Sequence, residues 1–232
     1  MEYDFAAGEI LLINKPLDWT SFDVVKKVRN TIRVKKVGHA GTLDPLASGL
    51  LILCTGKFTK RIDEIQGQEK EYTGTIRLGE ETPSYDRETA VTETRDISHI
   101  TPEAITAAAS TFEGTMEQVP PIYSAVMVDG KRAYDLARKG KSAELKPRTI
   151  TIKAFDITAI EGAEVYFRVI CTKGTYIRSL AHDLGEALGC GAHLSSLVRT
   201  RIGDYRLENA LTIEDIQEIR RRQLEAANES NS

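Results

Sequence analysis

The sequence predicts an α+β fold with a largely antiparallel sheet flanked by helices. Three observations lead there. Residues 149–160 and 164–171 both alternate apolar and polar side chains, and they look like paired strands. Helical segments with apolar stripes are interspersed among the strand-like ones. A strict strand–helix–strand alternation is absent, which disfavours a doubly wound parallel sheet.

The elements follow in order. Glu9-Ile-Leu-Leu-Ile-Asn14 reads as a buried strand, stopped by Lys15-Pro16. Thr20 or Ser21 caps the next helix, with Asp23 in its first turn and Val24, Val25 and Val28 on its apolar side. Residues 34–48 are punctuated by Gly and Pro and read as a loop. A short buried strand follows at 50–54, then a helix at 57–65. Residues 71–78 alternate as a half-buried strand, and 80–96 form a polar, acidic loop. Thr101-Pro102 opens a helix through Ala108, with Pro at the first helical position. Residues 123–128 read as a strand, Asp129-Gly130 as a turn and 132–138 as a short helix. The helix over 176–188 carries Ile177, Leu180, Ala181, Leu184 and Leu188 on one side, and Gly189 and Gly191 end it. Residues 197–207 read mostly as a strand and 212–225 as a terminal helix. The expected organisation is one domain over 1–225 with a disordered tail at 226–232.

Composition narrows the function classes. A chain of 232 residues can bury a substantial core. No apolar run approaches the roughly 20 residues a membrane span needs. The start, Met1-Glu-Tyr-Asp-Phe5, lacks a signal-peptide pattern, so a cytoplasmic location is expected. Cys54, Cys171 and Cys190 are far apart with no C-x-x-C pair, which argues against a disulfide framework and a structural zinc site. Net charge is −3, yet Lys26 to Lys36 holds six basic residues and no acid. Further basic stretches run from Lys131 to Arg148 and through Arg199, Arg201 and Arg206. Such clusters are solvated faces or, gathered about one site, a surface that tracks phosphates.

Several chemistries are ruled out by spacing. Gly49 to Lys57 is no phosphate loop: six residues separate Gly49 from Gly56, and Phe58 follows Lys57. The four histidines have no metal-ligand spacing, and no G-x-S-x-G elbow is present. The segment Gly38-His-Ala-Gly-Thr-Leu-Asp-Pro-Leu-Ala-Ser-Gly-Leu-Leu51 is different. Its glycines let backbone approach a ligand closely, and Pro45 biases Asp44 toward an extended backbone. A carboxylate so placed is either an ordinary Asx-turn or a catalytic group, and spacing alone leaves both open.

The whole segment resembles the signature of the bacterial tRNA pseudouridine synthase B family, close to G-H-x-G-T-L-D-P-x-A-[ST]-G. Other segments are similar in order: Leu12-Ile-Asn-Lys-Pro16, Lys70-Glu-Tyr72, Gln118-Val-Pro-Pro-Ile-Tyr-Ser-Ala125 with Gly130-Lys-Arg-Ala-Tyr134, Cys171-Thr-Lys-Gly-Thr-Tyr-Ile-Arg178, and Gly191-Ala-His-Leu-Ser-Ser-Leu-Val-Arg-Thr200. The resemblance covers about residues 9 to 216. It implies the pseudouridine synthase fold, an RNA-gripping insert at about 119–148, and conversion of uridine-55 in the TΨC loop of tRNA. It places the nucleophile on Asp44, its partner arginine on Arg178, and the base-stacking tyrosine, a candidate general base, on Tyr72. His39 falls near the displaced nucleotides, Leu197 on the wall of the uracil pocket, and Tyr176 along the site. Lys15 and Pro16 brace the catalytic loop, with minor substrate contact by Lys15. The target base must be flipped out, and the basic helix at Lys26–Lys36 and the insert would hold the flanking phosphates. No metal or nucleotide cofactor is implied, and the enzyme is expected to act as a monomer without an obligatory protein partner or membrane. The chain departs from many members in lacking room for a C-terminal PUA-type domain.

Overall fold

A computed structural model describes residues 3–124, 126–128, 130–137 and 145–229. Along the chain run β1 (Ile10–Lys15), α1 (Ser21–Ile32), β2 (Val37–Ala40), β3 (Ala47–Thr55), α2 (Ile62–Gln66), β4 (Lys70–Leu78), β5 (Glu80–Glu81), β6 (Glu93–Thr94) and α3 (Pro102–Ser110). Then follow β7 (Gly114–Gln118), β8 (Met127–Val128), β9 (Lys131–Arg132), α4 (Ala133–Ala137), β10 (Arg148–Glu161), β11 (Glu164–Cys171), α5 (Ile177–Ala187), β12 (Ala192–Ile202), β13 (Tyr205–Arg206) and α6 (Ile213–Glu229). The chain divides into two units. The first joins Met1–Lys70 to Val198–Ser232, and the second is Glu71–Leu197. β12 gives its last residues to the first unit and its earlier ones to the second.

In the first unit β3 is buried almost throughout, which accounts for its unbroken apolar run. It pairs antiparallel with β1, from Ile10 opposite Cys54 to Lys15 opposite Gly49. It also pairs antiparallel with β2, from Val37 opposite Thr55 to Ala40 opposite Ile52. α1 starts on a capping box: Thr20 Oγ1 accepts from Asp23 N at 3.0 Å, and Asp23 Oδ2 accepts from Thr20 N at 2.9 Å. Its apolar side, Val24, Val25, Val28 and Ile32, packs with Leu11, Ile13, Leu51 and Leu53 and with Ile213 and Ile216 of α6. Each such side chain contributes roughly 1.5–3 kcal/mol on burial. Leu50, Ile52 and Cys54, from alternate positions of β3, build a second cluster with Ala40, Ile65 and Ile202.

In the second unit β10 pairs antiparallel with β11, closing at Glu161 opposite Glu164. β7 lies on the other edge of β10, from Arg148 opposite Gln118 to Ile152 opposite Gly114. β4 lies between β11 and β12 in the strand order. Gly74 permits this closeness, because a Cβ there would stand 2.3 Å from the Ser196 carbonyl oxygen. Phe155 anchors the core, edge-on to Phe167 at 5.9 Å and to Phe112 at 6.4 Å between ring centroids. The α+β architecture with antiparallel strand pairs is as expected, and the paired strands, α1, α3 and α5 lie where sequence patterns put them.

Several expectations need correction. Residues 34–48 are not all loop: β2 and the start of β3 occupy part of them. β2 is four residues long and contains Gly, too short for periodicity to reveal. The helix expected at 57–65 is a 3₁₀ turn, Gly56–Arg61, followed by α2. Among the described residues of 123–128 only Met127–Val128 is strand, and β7 was not foreseen. The tail expected to be disordered from 226 is helical to Glu229, where pairs such as Arg221–Glu225 at 2.6 Å support the turn. Asp129 of the expected turn, Arg138, Lys139 and Lys141 of the second basic stretch, and residues 230–232 lie outside the described residues.

Candidate active site

Asp44 opens a β-turn in the first unit: Ala47 N donates to Asp44 O at 3.0 Å, and Pro45 takes the position it favours. Three side chains hold this turn. Ser21 Oγ donates to Leu43 O at 3.2 Å, and Leu43 N donates back to Ser21 Oγ at 2.9 Å. Arg199, only 1% exposed, donates Nε to Leu50 O at 2.8 Å and Nη2 to Gly41 O at 3.0 Å. Lys15, fully buried, donates Nζ to Trp19 O at 2.6 Å, Pro16 O at 2.8 Å and Pro45 O at 3.4 Å. Gly49 is required here: its φ is +101°, and a Cβ would stand 2.5 Å from Arg199 O. The carboxylate is thus carried on backbone whose carbonyls are tied to two buried cations.

Burial pushes Lys15 down to about 8, opposed by the charges of Asp18 and Asp44 and reinforced by Arg199. Its ammonium is occupied by carbonyls, which fits a brace and leaves little for a substrate. His39 lies in β2 opposite Leu53, half-buried. Burial first, then the Arg199 charge, lowers its pKa, so the ring is neutral at pH 7. Its Nδ1 is buried without a hydrogen-bond partner among the described residues.

The other expected residues fall in the second unit. Tyr72 is a buried residue of β4. Tyr176 is half-buried at the N-cap of α5, and Leu197 is half-buried in β12. Gln118 fixes Tyr176 from both sides: Tyr176 N donates to Gln118 Oε1 at 2.8 Å, and Gln118 Nε2 donates to Tyr176 O at 3.1 Å. Arg178, 5% exposed, donates Nη1 to Tyr123 O at 2.8 Å, and its Nε stands 3.8 Å from Asp86 Oδ2.

Sequence reasoning missed three participants. Arg199 was read within a basic cluster, yet it is buried and spent on loop carbonyls. Its neighbour Arg201 is bound to Glu69 at 2.7 Å, so two of this cluster's three cations are engaged within the protein. Gln118 was read only as the first residue of a segment similar to the family's, and it is buried on the backbone of Tyr176. Asp86 was lost in an acidic loop. Only pairing across 92 positions, to Arg178, singles it out.

Comparison with known proteins is consistent over nearly the whole chain. Residues 29–177 match the family model described as TruB family pseudouridylate synthase, N terminal domain. Residues 178–230 match the tRNA pseudouridylate synthase B C-terminal domain. A tRNA pseudouridine synthase B of Phocaeicola vulgatus is 53% identical over 221 residues, covering 93% of this chain and 94% of that protein. One from Bacteroides thetaiotaomicron is 52% identical, covering 98% and 100%. Among solved structures, the archaeal box H/ACA sRNP Nop10–Cbf5 complex aligns with a TM-score of 0.72 and 28% identity. That alignment covers 96% of this chain and 57% of the other, so this chain spans just over half the length of its structural relative.

Proposed function

The chain belongs to the TruB family of pseudouridylate synthases and has the pseudouridine synthase fold; from that premise we propose that it converts uridine-55 in the TΨC loop of tRNA to pseudouridine. Relatives named tRNA pseudouridine synthase B, identical at about half their positions over nearly their full length, support tRNA as substrate. The position and the roles of single residues rest on the segment Gly38 to Leu51 and the motifs similar to the family's.

The observation that carries the reading is the Asp44 turn, whose backbone is anchored by Lys15, Ser21 and Arg199. Isomerisation breaks the N1–C1′ bond, turns the uracil and joins C5 to C1′. C5 loses a proton and N1 gains one, so atoms balance without a co-substrate. Asp44 assists glycosidic cleavage and is released when C5 bonds to C1′. The family resemblance makes Arg178 the partner of the catalytic carboxylate, stacks Tyr72 on the flipped base, and lines the uracil with Tyr176 and Leu197. His39, neutral at pH 7, supports the displaced nucleotides, and Lys15 positions the loop.

The test is tritium release from C5-labelled uridine in a T-arm hairpin with the purified chain alone. Wild type is expected to release it, and Asp44→Ala and Asp44→Asn are expected to fall to background while still binding RNA. Turnover by either variant would remove Asp44 from the chemistry. Inactivity of the wild type alone would refute a stand-alone enzyme.

A further inference from the structure

α1 presents an unusual outer face. Its buried side is satisfied by Val24, Val25, Val28 and Ile32. A flank of its exposed side carries Phe22, Lys26 and Arg29, spaced four and three residues apart, which aligns them in one stripe, and Arg33 caps the helix just beyond. The stripe is about 10 Å long at 1.5 Å per residue. Among the described residues no ion pair holds Lys26, Lys27, Arg29 or Arg33. Two adjoining grooves flank the stripe and share Asn30. One, of about 410 Å³, is lined by Asp18, Trp19, Asp23, Lys26 and Lys27. The other, of about 510 Å³, is lined by Arg29, Arg33, Val34 and Lys35. The two carboxylates of the first groove are engaged. Asp23 accepts from Thr20 in the capping box, and Asp18 supplies the largest charge opposing the desolvation of Lys15.

At the start of the stripe two large apolar side chains stand in solvent: Phe22 is 65% exposed and Leu17 55%. Neither is needed by the core, because Trp19 and the valines pack there instead. An exposed aromatic beside unpaired cations matches the chemistry of a nucleic acid strand, with phosphates for the cations and a base face for the ring. The location is equally specific. Asp18 N donates to Pro45 O at 2.8 Å and Ser21 holds Leu43, so the apolar end of the stripe adjoins the Asp44 turn.

We propose that this face of α1 docks one strand of the RNA, with Lys26 and Lys27 of the first groove and Arg29 and Arg33 of the second on its phosphates and Phe22, flanked by Leu17, stacked on a nucleobase displaced beside the target. The proposal rests on the tRNA reading above and adds to it a guiding surface that ends at the catalytic turn.

The experiment measures binding of a fluorescent T-arm hairpin across a salt series for wild type, Phe22→Ala, Lys26→Glu, Lys27→Glu and, as a charge-matched control, Arg222→Glu on α6. Phe22→Ala is expected to weaken binding about fivefold or more without changing the salt slope. Each lysine variant is expected to weaken binding and flatten the slope of log affinity against log salt by about 0.7–0.9. Arg222→Glu is expected to bind as wild type. Phe22 is mostly exposed, so its variant should melt within a few degrees of wild type, and melting is recorded for every variant. Wild-type affinity retained by Phe22→Ala and both lysine variants overturns the proposal. So does weakening by Arg222→Glu equal to that by the lysine variants, which shows net charge alone at work. If Phe22→Ala instead abolishes self-association in sedimentation and leaves RNA binding intact, the face belongs to a second copy and the proposal is wrong. Wild-type turnover, read separately, tests the underlying function.

Discussion

Lys15 shows how a single buried residue can support a turn. Its ammonium lies among the carbonyls of Pro16, Trp19 and Pro45 with no exposure to solvent. Its pKa falls to about 8 on folding, from 10.5 in the unfolded chain. Between those values the unfolded state holds more protons, so the folded state gains stability as pH rises. The desolvation penalty is fully present below about pH 8 and is relieved by about 10.5. Relative to Lys15→Met, wild type should therefore gain on the order of 3 kcal/mol across that window. Denaturant unfolding of both proteins at stepped pH measures it, and parallel curves would disprove it. The same rise removes a donor from the Pro45 carbonyl, so turnover should decline above pH 8 even as the fold strengthens. The sequence showed Lys15-Pro16 as a strand stop and, through resemblance, a brace. It could not show which carbonyls the ammonium meets, because Pro45 lies 30 positions away.

At the scale of elements, α1 links packing to chemistry. Its start is set by Thr20 and Asp23, a pattern readable from sequence because capping acts within four residues. Thr20→Ala should cost about 1 kcal/mol in unfolding free energy. It should also raise KM for tRNA more than it lowers kcat, because Ser21 and Asp18 fasten this end of the helix to Leu43 and Pro45. Chemical denaturation and steady-state kinetics on one preparation test both parts. The long strands β10 and β11 and the helix α5 were legible for the same reason, since their periodicity is local. β2 and β7 were not. Each is short, and each exists through a partner strand far along the chain, β3 or β10. The buried participants Arg199, Gln118 and Asp86 were hidden likewise: each bonds across tens of residues, and residue type alone suggests a surface position.

At the scale of the molecule, the unit bearing Asp44 is assembled from both ends of the chain. Ile213 and Ile216 of α6 enter the same core as Val24 and Val28, and Leu211 N donates to Leu12 O at 2.8 Å beside β1. Ile216→Ala, at a site 1% exposed, should cost about 2–5 kcal/mol. Pseudouridine formation should then be normal well below the lowered melting temperature and fail near it. Calorimetry with a temperature series of tritium release checks this, and a loss of activity at low temperature would give α6 a direct part in the reaction.

The bond from Arg199 to Thr42 joins residues 157 positions apart. A ribosome adds roughly 5–20 residues per second, so about 8–30 s separate synthesis of the Asp44 turn from that of the arginine that steadies it. Through that interval the nascent chain carries the Asp44 carboxylate on backbone that Lys15 and Ser21 alone can hold. The turn is complete only once Arg199 and the residues that close its unit have been made. A truncated product from a broken message would thus have the signature segment and no working turn.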